Sequence, residues 1–204
     1  PPLILGHEIS GTVVRIGPGV GVEWIGARVL LSSISTCGAC GACRTGRENQ
    51  CAKQKMIGNA VDGGFAEYVT WPARDAFVVP PEVPLEEGCV IADALTTAYH
   101  AVVRRGRVVA GETVSVFGCG GLGLSVVQVA ALVGAKVIAI DIDPAKRELA
   151  LALGAFAKFD GNDPDLGKPG RGATGGGPSG AIEGGGSARG QGGRVEQVEA
   201  GGRA

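Results

Sequence analysis

Aromatic side chains are scarce in this 204-residue chain: five Phe, two Tyr and two Trp make up 4% of it. A packed core must therefore come from the aliphatic part of the 45% hydrophobic share. Surplus charge is also lacking. The net charge is −1 with no sustained basic run, which speaks against a nucleic-acid or anionic-membrane partner. No apolar run reaches the roughly 18 residues needed to span a bilayer, and no signal peptide precedes the first strand, so the expected setting is cytoplasmic. Histidine occurs only twice. The chain opens on Pro1 inside a loop-to-strand transition rather than on Met, which reads as a fragment without its true N-terminus.

What the chain does have is glycine, 37 of them, and one stretch uses them with purpose. Thr113 to Phe117 is a short β-branched strand. Gly118-Cys-Gly-Gly-Leu-Gly123 follows, then an apolar-periodic run to Gly134, then a second strand ending at Asp141. This is a βαβ unit with Gly118, Gly120 and Gly123 at the three G-x-G-x-x-G positions. The first glycine allows a tight turn, the second a close approach to a pyrophosphate, and the third close packing of helix on sheet. The helix start, with Gly121 and Leu122, offers N–H groups and a positive dipole end to phosphates. Asp141, 23 residues after Gly118, suits an adenosine ribose diol. A 2′-phosphate there would meet a like charge, so NAD is favoured over NADP.

Residues 1–35 read as β, with strands expected over 9–16 and 28–34. Ahead of them stands Gly6-His7-Glu8. From the residues alone, His7 is either a satisfied structural histidine or a metal ligand. Cys37, Cys40, Cys43 and Cys51 then follow with C-x2-C-x2-C-x7-C spacing. Short separations with intervening glycines let four thiolates converge, the closed type of structural zinc site. An iron–sulfur cluster and disulfides are the rivals. The loop has little apolar content, so the metal is expected to fold it.

A glycine turn running into a strand is expected over 61–70, another short strand over 76–79, and a helix over 85–92. Asp93 stands in an apolar helical setting, where a carboxylate needs a cap role, a salt partner or a metal. Helix capping is the first reading from the residues alone.

Gly-His-Glu, a four-cysteine lobe, Gly-Gly-Phe-Ala-Glu-Tyr and a GxGGxG βαβ unit occur in one order over about residues 1 to 160. In this the chain resembles the zinc-dependent medium-chain dehydrogenase/reductase family, the alcohol dehydrogenase type. The resemblance implies an α/β plus β architecture. A GroES-like β domain carrying zinc sites would occupy 1–93, and the first part of a Rossmann domain, a doubly wound parallel sheet, 94–160. It further implies that His7 and Asp93 are ligands of a catalytic zinc, with Glu8 the neighbouring acid. Cys37, Cys40, Cys43 and Cys51 would hold the structural zinc. Thr97 would contact the nicotinamide and Lys146 would support the adenosine ribose. The implied reaction moves a hydride between a small alcohol or polyol and NAD, in a parent enzyme that is a homodimer or homotetramer.

The family's first catalytic ligand is an upstream cysteine that this chain does not contain, so the fragment itself is expected to be inactive. The alternative is a folded, non-enzymatic zinc-binding fragment. A zinc-ribbon nucleic-acid module is a third reading, disfavoured by the charge. From Asp160 onward 16 of 45 residues are glycine, with Leu166, Ile182, Val195 and Val198 the only large aliphatics. The range 161–204 is therefore expected to be a disordered, atypical tail, read as a frame-shifted product with Thr174-Gly-Gly-Gly and Ala181-Ile-Glu183 as islands of family sequence.

Overall fold

The computed structural model describes residues 2–164 and 178–184. The chain divides into two compact units, Pro1–Asp93 and Ala94–Ala204. Among the described residues no helix is long and apolar enough to cross a membrane.

The first unit is built on three antiparallel strands, β1 (Ile9–Thr12), β2 (Arg28–Leu31) and β5 (Ala76–Val78), with β2 in the centre. Val29 and Leu31 alternate inward along β2 and form the core with Ile57. Ile9, Trp24, Val69 and Trp71 pack around them. Ahead of β5, β3 (Ile34–Ser35) pairs with β4 (Lys55–Met56), and the one-turn helix α1 (Gly41–Arg44) lies between these two. Helix α2 (Leu85–Gly88) ends the unit, continued by a 3-10 turn over Cys89–Ala92.

Three expectations change here. The strand expected over 28–34 breaks at Ser32, whose hydroxyl donates to the Ile34 carbonyl and accepts from the Ile34 N–H. A side chain bonding the backbone two residues on replaces ladder geometry with a bend. The segment 64–70 is not a strand. The N–H groups of Gly63, Gly64 and Phe65 donate instead to the carbonyls of Ile4, Gly6 and Leu5, and Phe65 and Tyr68 point into solvent. The helix expected over 85–92 keeps α-geometry for four residues only, then tightens to 3-10 after Gly88.

The second unit begins with α3 (Ala94–Tyr99) and a π-helical stretch, His100–Arg105. Then come β6 (Thr113–Phe117), α4 (Gly121–Val133), β7 (Lys136–Asp141), α5 (Pro144–Ala152), β8 (Ala157–Asp160) and β9 (Gly180–Glu183). The four strands are all parallel, in the order β8-β7-β6-β9. Both central strands are buried along almost their whole length, and α4 and α5 pack on the face that carries Val114, Val116, Val137 and Ala139. Val126, Val127 and Ala130 of α4 pack on Val114, Val116, Val137 and Ala139 in the main core. Gly134 closes α4 in the left-handed conformation, φ 92°, with its N–H returned to the last-turn carbonyls. Asp143 caps α5 by accepting from the Ala145 N–H at 2.9 Å, with Pro144 in the first turn.

β9 falls inside the range expected to be a disordered tail. For Ala181-Ile-Glu183 that expectation is corrected: the segment pairs in register with Ser115 to Phe117, and Ala181 is buried. Hydrophobic burial against β6, absent from any local composition measure, overrides the glycine content around it. Leu166, Thr174, Val195 and Val198 lie outside the described residues.

Candidate functional site: a thiolate lobe, a histidine–aspartate pair and a glycine cradle

The lobe starts where β3 ends. Gly38, at φ 67°, turns the chain tightly enough to bring Cys40 back toward Cys37. The single turn of α1 then presents Cys43, and a 3-10 turn over Glu48–Gln50 delivers Cys51. The four Sγ atoms all lie within 4.8 Å of one another. Cys37 and Cys43 are 3.9 Å apart, Cys40 and Cys43 3.4 Å, and Cys51 and Cys37 3.6 Å. Tetrahedral Zn–S bonds of about 2.3 Å place sulfurs about 3.8 Å apart, so the cage fits a single zinc ion. Sulfurs this close leave no room between them for a multi-iron cluster, and all six cysteines are free thiols rather than disulfides.

Donors surround the sulfurs as thiolates require. The Cys40 N–H reaches Cys37 Sγ at 3.4 Å and the Cys37 N–H reaches Cys51 Sγ at 3.5 Å. Hydrogen bonds from the Ala39 and Cys40 N–H groups and from the Cys51 thiol lower the Cys37 pKa to about 6. Burial, followed by the neighbouring thiols of Cys40 and Cys51, raises that of Cys43 to about 11. A dication in the cage would relieve that opposition by stabilising every sulfur as thiolate.

His7 is placed by glycine. Gly6 adopts φ 100°, and the backbones of Gly58 and Gly63 lie so close to it that a Cβ on either would overlap Gly6 main-chain atoms. Asp93 arrives from the other end of the unit. Ser10 Oγ on β1 donates to the Leu85 carbonyl at 2.5 Å, and Arg28 on β2 donates to the Val83 carbonyl at 2.5 Å. These bonds lay α2 and the following turn over the sheet, and Asp93 comes to rest with Oδ2 3.1 Å from His7 Nε2. Two ligands on one tetrahedral zinc, each about 2.0–2.1 Å from it, are about 3.3 Å apart, so the pair fits as two donors to one ion. Both side chains are part-exposed, 44% and 31%, as a site open to substrate needs. Glu8, next to His7 in the chain, is half-buried. Among the described residues the four cysteines are the only group of three or more His, Cys, Asp or Glu side chains within metal-holding distance.

The glycine cradle belongs to the second unit. Gly118 turns at φ 85° and donates its N–H to the Ile140 carbonyl at 2.8 Å. A Cβ on Gly123 would overlap the Gly118 carbonyl oxygen, so the third glycine is needed for helix-on-loop contact. Around Gly120 and Gly121, by contrast, a Cβ would meet nothing within 4 Å. Helix geometry leaves the N–H groups of Gly121, Leu122 and Gly123 without intrahelical acceptors. Strand order reverses between β6 and β9, and Gly184, just past β9, packs against Gly118 and Gly123. The cradle thus sits at the topological switch point of the sheet, where ligands of open α/β folds bind.

Asp141 is 9% exposed at the end of β7. Its Oδ2 accepts from the Cys119 N–H at 2.6 Å and its Oδ1 from the Asp143 N–H at 2.8 Å. Each oxygen keeps a further lone pair for a ligand hydroxyl. Burial and the Asp141 charge push the Cys119 thiol up to about 11. Lys146 is exposed on α5 and Thr97 is exposed on α3. Sequence reasoning missed Arg147, which donates to the Asp141 carbonyl at 2.7 Å and pairs with Asp160 at 3.3 Å, tying α5 to β7 and β8. Its place beside Lys146 in the first turns of α5 was the available signal. Gly184 was missed too, although it opens the Gly-Gly-Gly run after Glu183.

Comparison with known proteins agrees with both units. Residues 1–81 match the family described as "Alcohol dehydrogenase GroES-like domain", and residues 121–204 the family described as "Zinc-binding dehydrogenase". An alcohol dehydrogenase from Geobacillus stearothermophilus is 41% identical over 76% of this chain and 46% of its own length. Galactitol 1-phosphate 5-dehydrogenase from Escherichia coli is 36% identical over 79% of this chain and 46% of its own. A solved structure of a zinc-binding dehydrogenase from Sinorhizobium meliloti 1021, bound to NADP, superimposes with a TM-score of 0.92 at 36% identity. That match covers 99% of this chain and 60% of the other. The chain therefore spans about half the length of the curated relatives it matches.

Proposed function

Because this chain belongs to the zinc-type medium-chain dehydrogenase family, we propose that it forms part of an oxidoreductase that moves a hydride between a small alcohol or polyol and NAD. The observation that carries this reading is the His7–Asp93 pair, two metal donors 3.1 Å apart in a unit that also holds a four-thiolate cage. When bound, zinc supplies a Lewis acid for the alcohol oxygen and NAD supplies the hydride acceptor. His7 would offer an imidazole nitrogen and Asp93 a carboxylate oxygen to that zinc, with Glu8, next to His7 in the chain, as the neighbouring acid. Cys37, Cys40, Cys43 and Cys51 hold a second, structural zinc.

The N–H groups of Gly121, Leu122 and Gly123 receive the pyrophosphate, with Gly118 and Gly120 leaving its path clear. Asp141 accepts the ribose hydroxyls and Lys146 supports the same sugar, while Thr97 contacts the nicotinamide. The negative charge of Asp141 favours NAD over NADP. Six free thiols suit a reducing compartment, and we place the protein in the cytoplasm, as a homodimer or homotetramer in its full form.

One observation favours a narrower second reading: His7 and Asp93 have no third His, Cys, Asp or Glu within metal-holding distance among the described residues. On that reading the chain binds zinc and nucleotide without oxidising alcohol. Zinc analysis, NAD calorimetry and alcohol turnover on the purified chain test both. Two zinc ions per chain and NAD binding support the dehydrogenase reading, and absence of NAD binding would remove it. NAD binding without turnover would favour the second.

A further inference from the structure

The four-cysteine lobe is joined to its sheet by little more than the two-residue β3–β4 ladder, and residues 44–50 are exposed throughout. One further tie comes from outside the lobe. Arg74, in the 3-10 turn Ala73–Asp75, donates to the Thr36 carbonyl at 2.6 Å and to Ser35 Oγ at 3.4 Å. Its Nε faces Asp75 Oδ2 at 3.6 Å. Asp75 is itself fixed: its carbonyl accepts from the Ser32 N–H at 2.8 Å and its N–H donates to Pro72 at 2.9 Å. Thr36 immediately precedes Cys37. The guanidinium thus holds the peptide group that leads directly into the first of the four sulfur-bearing residues.

We propose that Arg74 is a positioning residue for the metal of the lobe: by clamping the Thr36 carbonyl it holds Cys37 at coordination distance from Cys43 and Cys51. This rests on the reading that the lobe binds a metal. A guanidinium suits the task because its fixed fork serves two acceptors at once, which a lysine ammonium on a flexible stem does not. Groups that orient metal ligands from outside the coordination sphere typically change metal affinity 10- to 100-fold when removed.

The test uses the full chain loaded with cobalt(II). A sulfur-to-cobalt charge-transfer band reports the lobe alone, because His7 and Asp93 contribute nitrogen and oxygen. On challenge with EDTA, Arg74→Gln is expected to lose the band about tenfold faster than the parent, with Arg74→Lys between them. The rise in Tm on metal loading should shrink in Arg74→Gln while the metal-free Tm stays put. A parental release rate, or equal losses of Tm with and without metal, would overturn the proposal. Should Arg74→Gln fail to fold, Arg74→Lys probes the same clamp, and a parental release rate in it would overturn the proposal as well. A parent chain that shows no thiolate–cobalt band refutes the metal reading itself and the proposal with it.

Discussion

At the scale of single residues, the electrostatics divide the cysteines into two kinds. Cys37, held near pKa 6 by backbone N–H donors, is mostly thiolate at pH 7, while Cys43 and Cys119, pushed up to about 11, stay protonated. In the metal-free chain, iodoacetamide at pH 7 should therefore label Cys37 first and leave Cys119, buried against β7, unmodified. Peptide mass mapping over time checks this, and labelling of Cys43 ahead of Cys37 would contradict it. Asp141 invites a second substitution. An amide in Asp141→Asn cannot accept at both oxygens, so it must give up either the Cys119 or the Asp143 N–H bond. Hydrogen bonds to a charged group contribute about 1.5–3 kcal/mol, so NAD affinity should fall roughly tenfold or more. NADP should suffer less, because the like charge is gone. Calorimetric Kd values for both nucleotides decide the matter, and a parallel loss for the two would show that Asp141 does not discriminate.

At the scale of elements, the glycines of the cradle separate packing from binding. A methyl at Gly123 meets a backbone carbonyl that has nowhere to go, whereas one at Gly120 enters open space. Gly123→Ala should lower stability by about 1–3 kcal/mol, as overpacking does. Gly120→Ala should melt like the parent yet bind NAD more weakly. Thermal melts paired with NAD titration distinguish the two, and equal Tm losses would undo the assignment. The βαβ unit was legible because its signals are local: a β-branched strand, a glycine turn, an apolar-periodic helix and a terminal acid, all within 29 residues. β9 was not, since Ala181-Ile-Glu183 carries no pattern of its own and becomes a strand only through pairing with β6. The segment 64–70 erred the other way. Phe65, Tyr68 and Val69 have strand propensity, but the glycines before them spend their N–H groups on Ile4 to Gly6. The metal lobe could be read from spacing alone, whereas the His7–Asp93 contact joins opposite ends of one unit and followed only from family resemblance.

For the whole molecule, the two units hold themselves together by different means. The second has a continuous core running from Ala98 and Val102 through both central strands to Ala150. The first buries only Val29, Leu31 and Ile57 in its cluster, and its lobe adds sulfur rather than hydrocarbon. Binding free energy for structural zinc in small thiolate sites is about 10–16 kcal/mol, comparable to the stability of a whole domain, so a zinc ion held there would dominate order in the lobe. Chelation should consequently act on one unit. In hydrogen exchange of the EDTA-treated chain, protection over 34–57 should disappear and that over β2 should weaken. Amides of β6 and β7, each buried and paired on both sides, should keep theirs. NAD affinity, which depends on the switch-point cradle and Asp141, should stay within about twofold of the metal-loaded value, a difference under about 0.4 kcal/mol. Loss of protection spread evenly through β6 and β7, or a collapse of NAD binding on chelation, would mean that the metal governs the nucleotide unit too and that the two cores are not energetically separate.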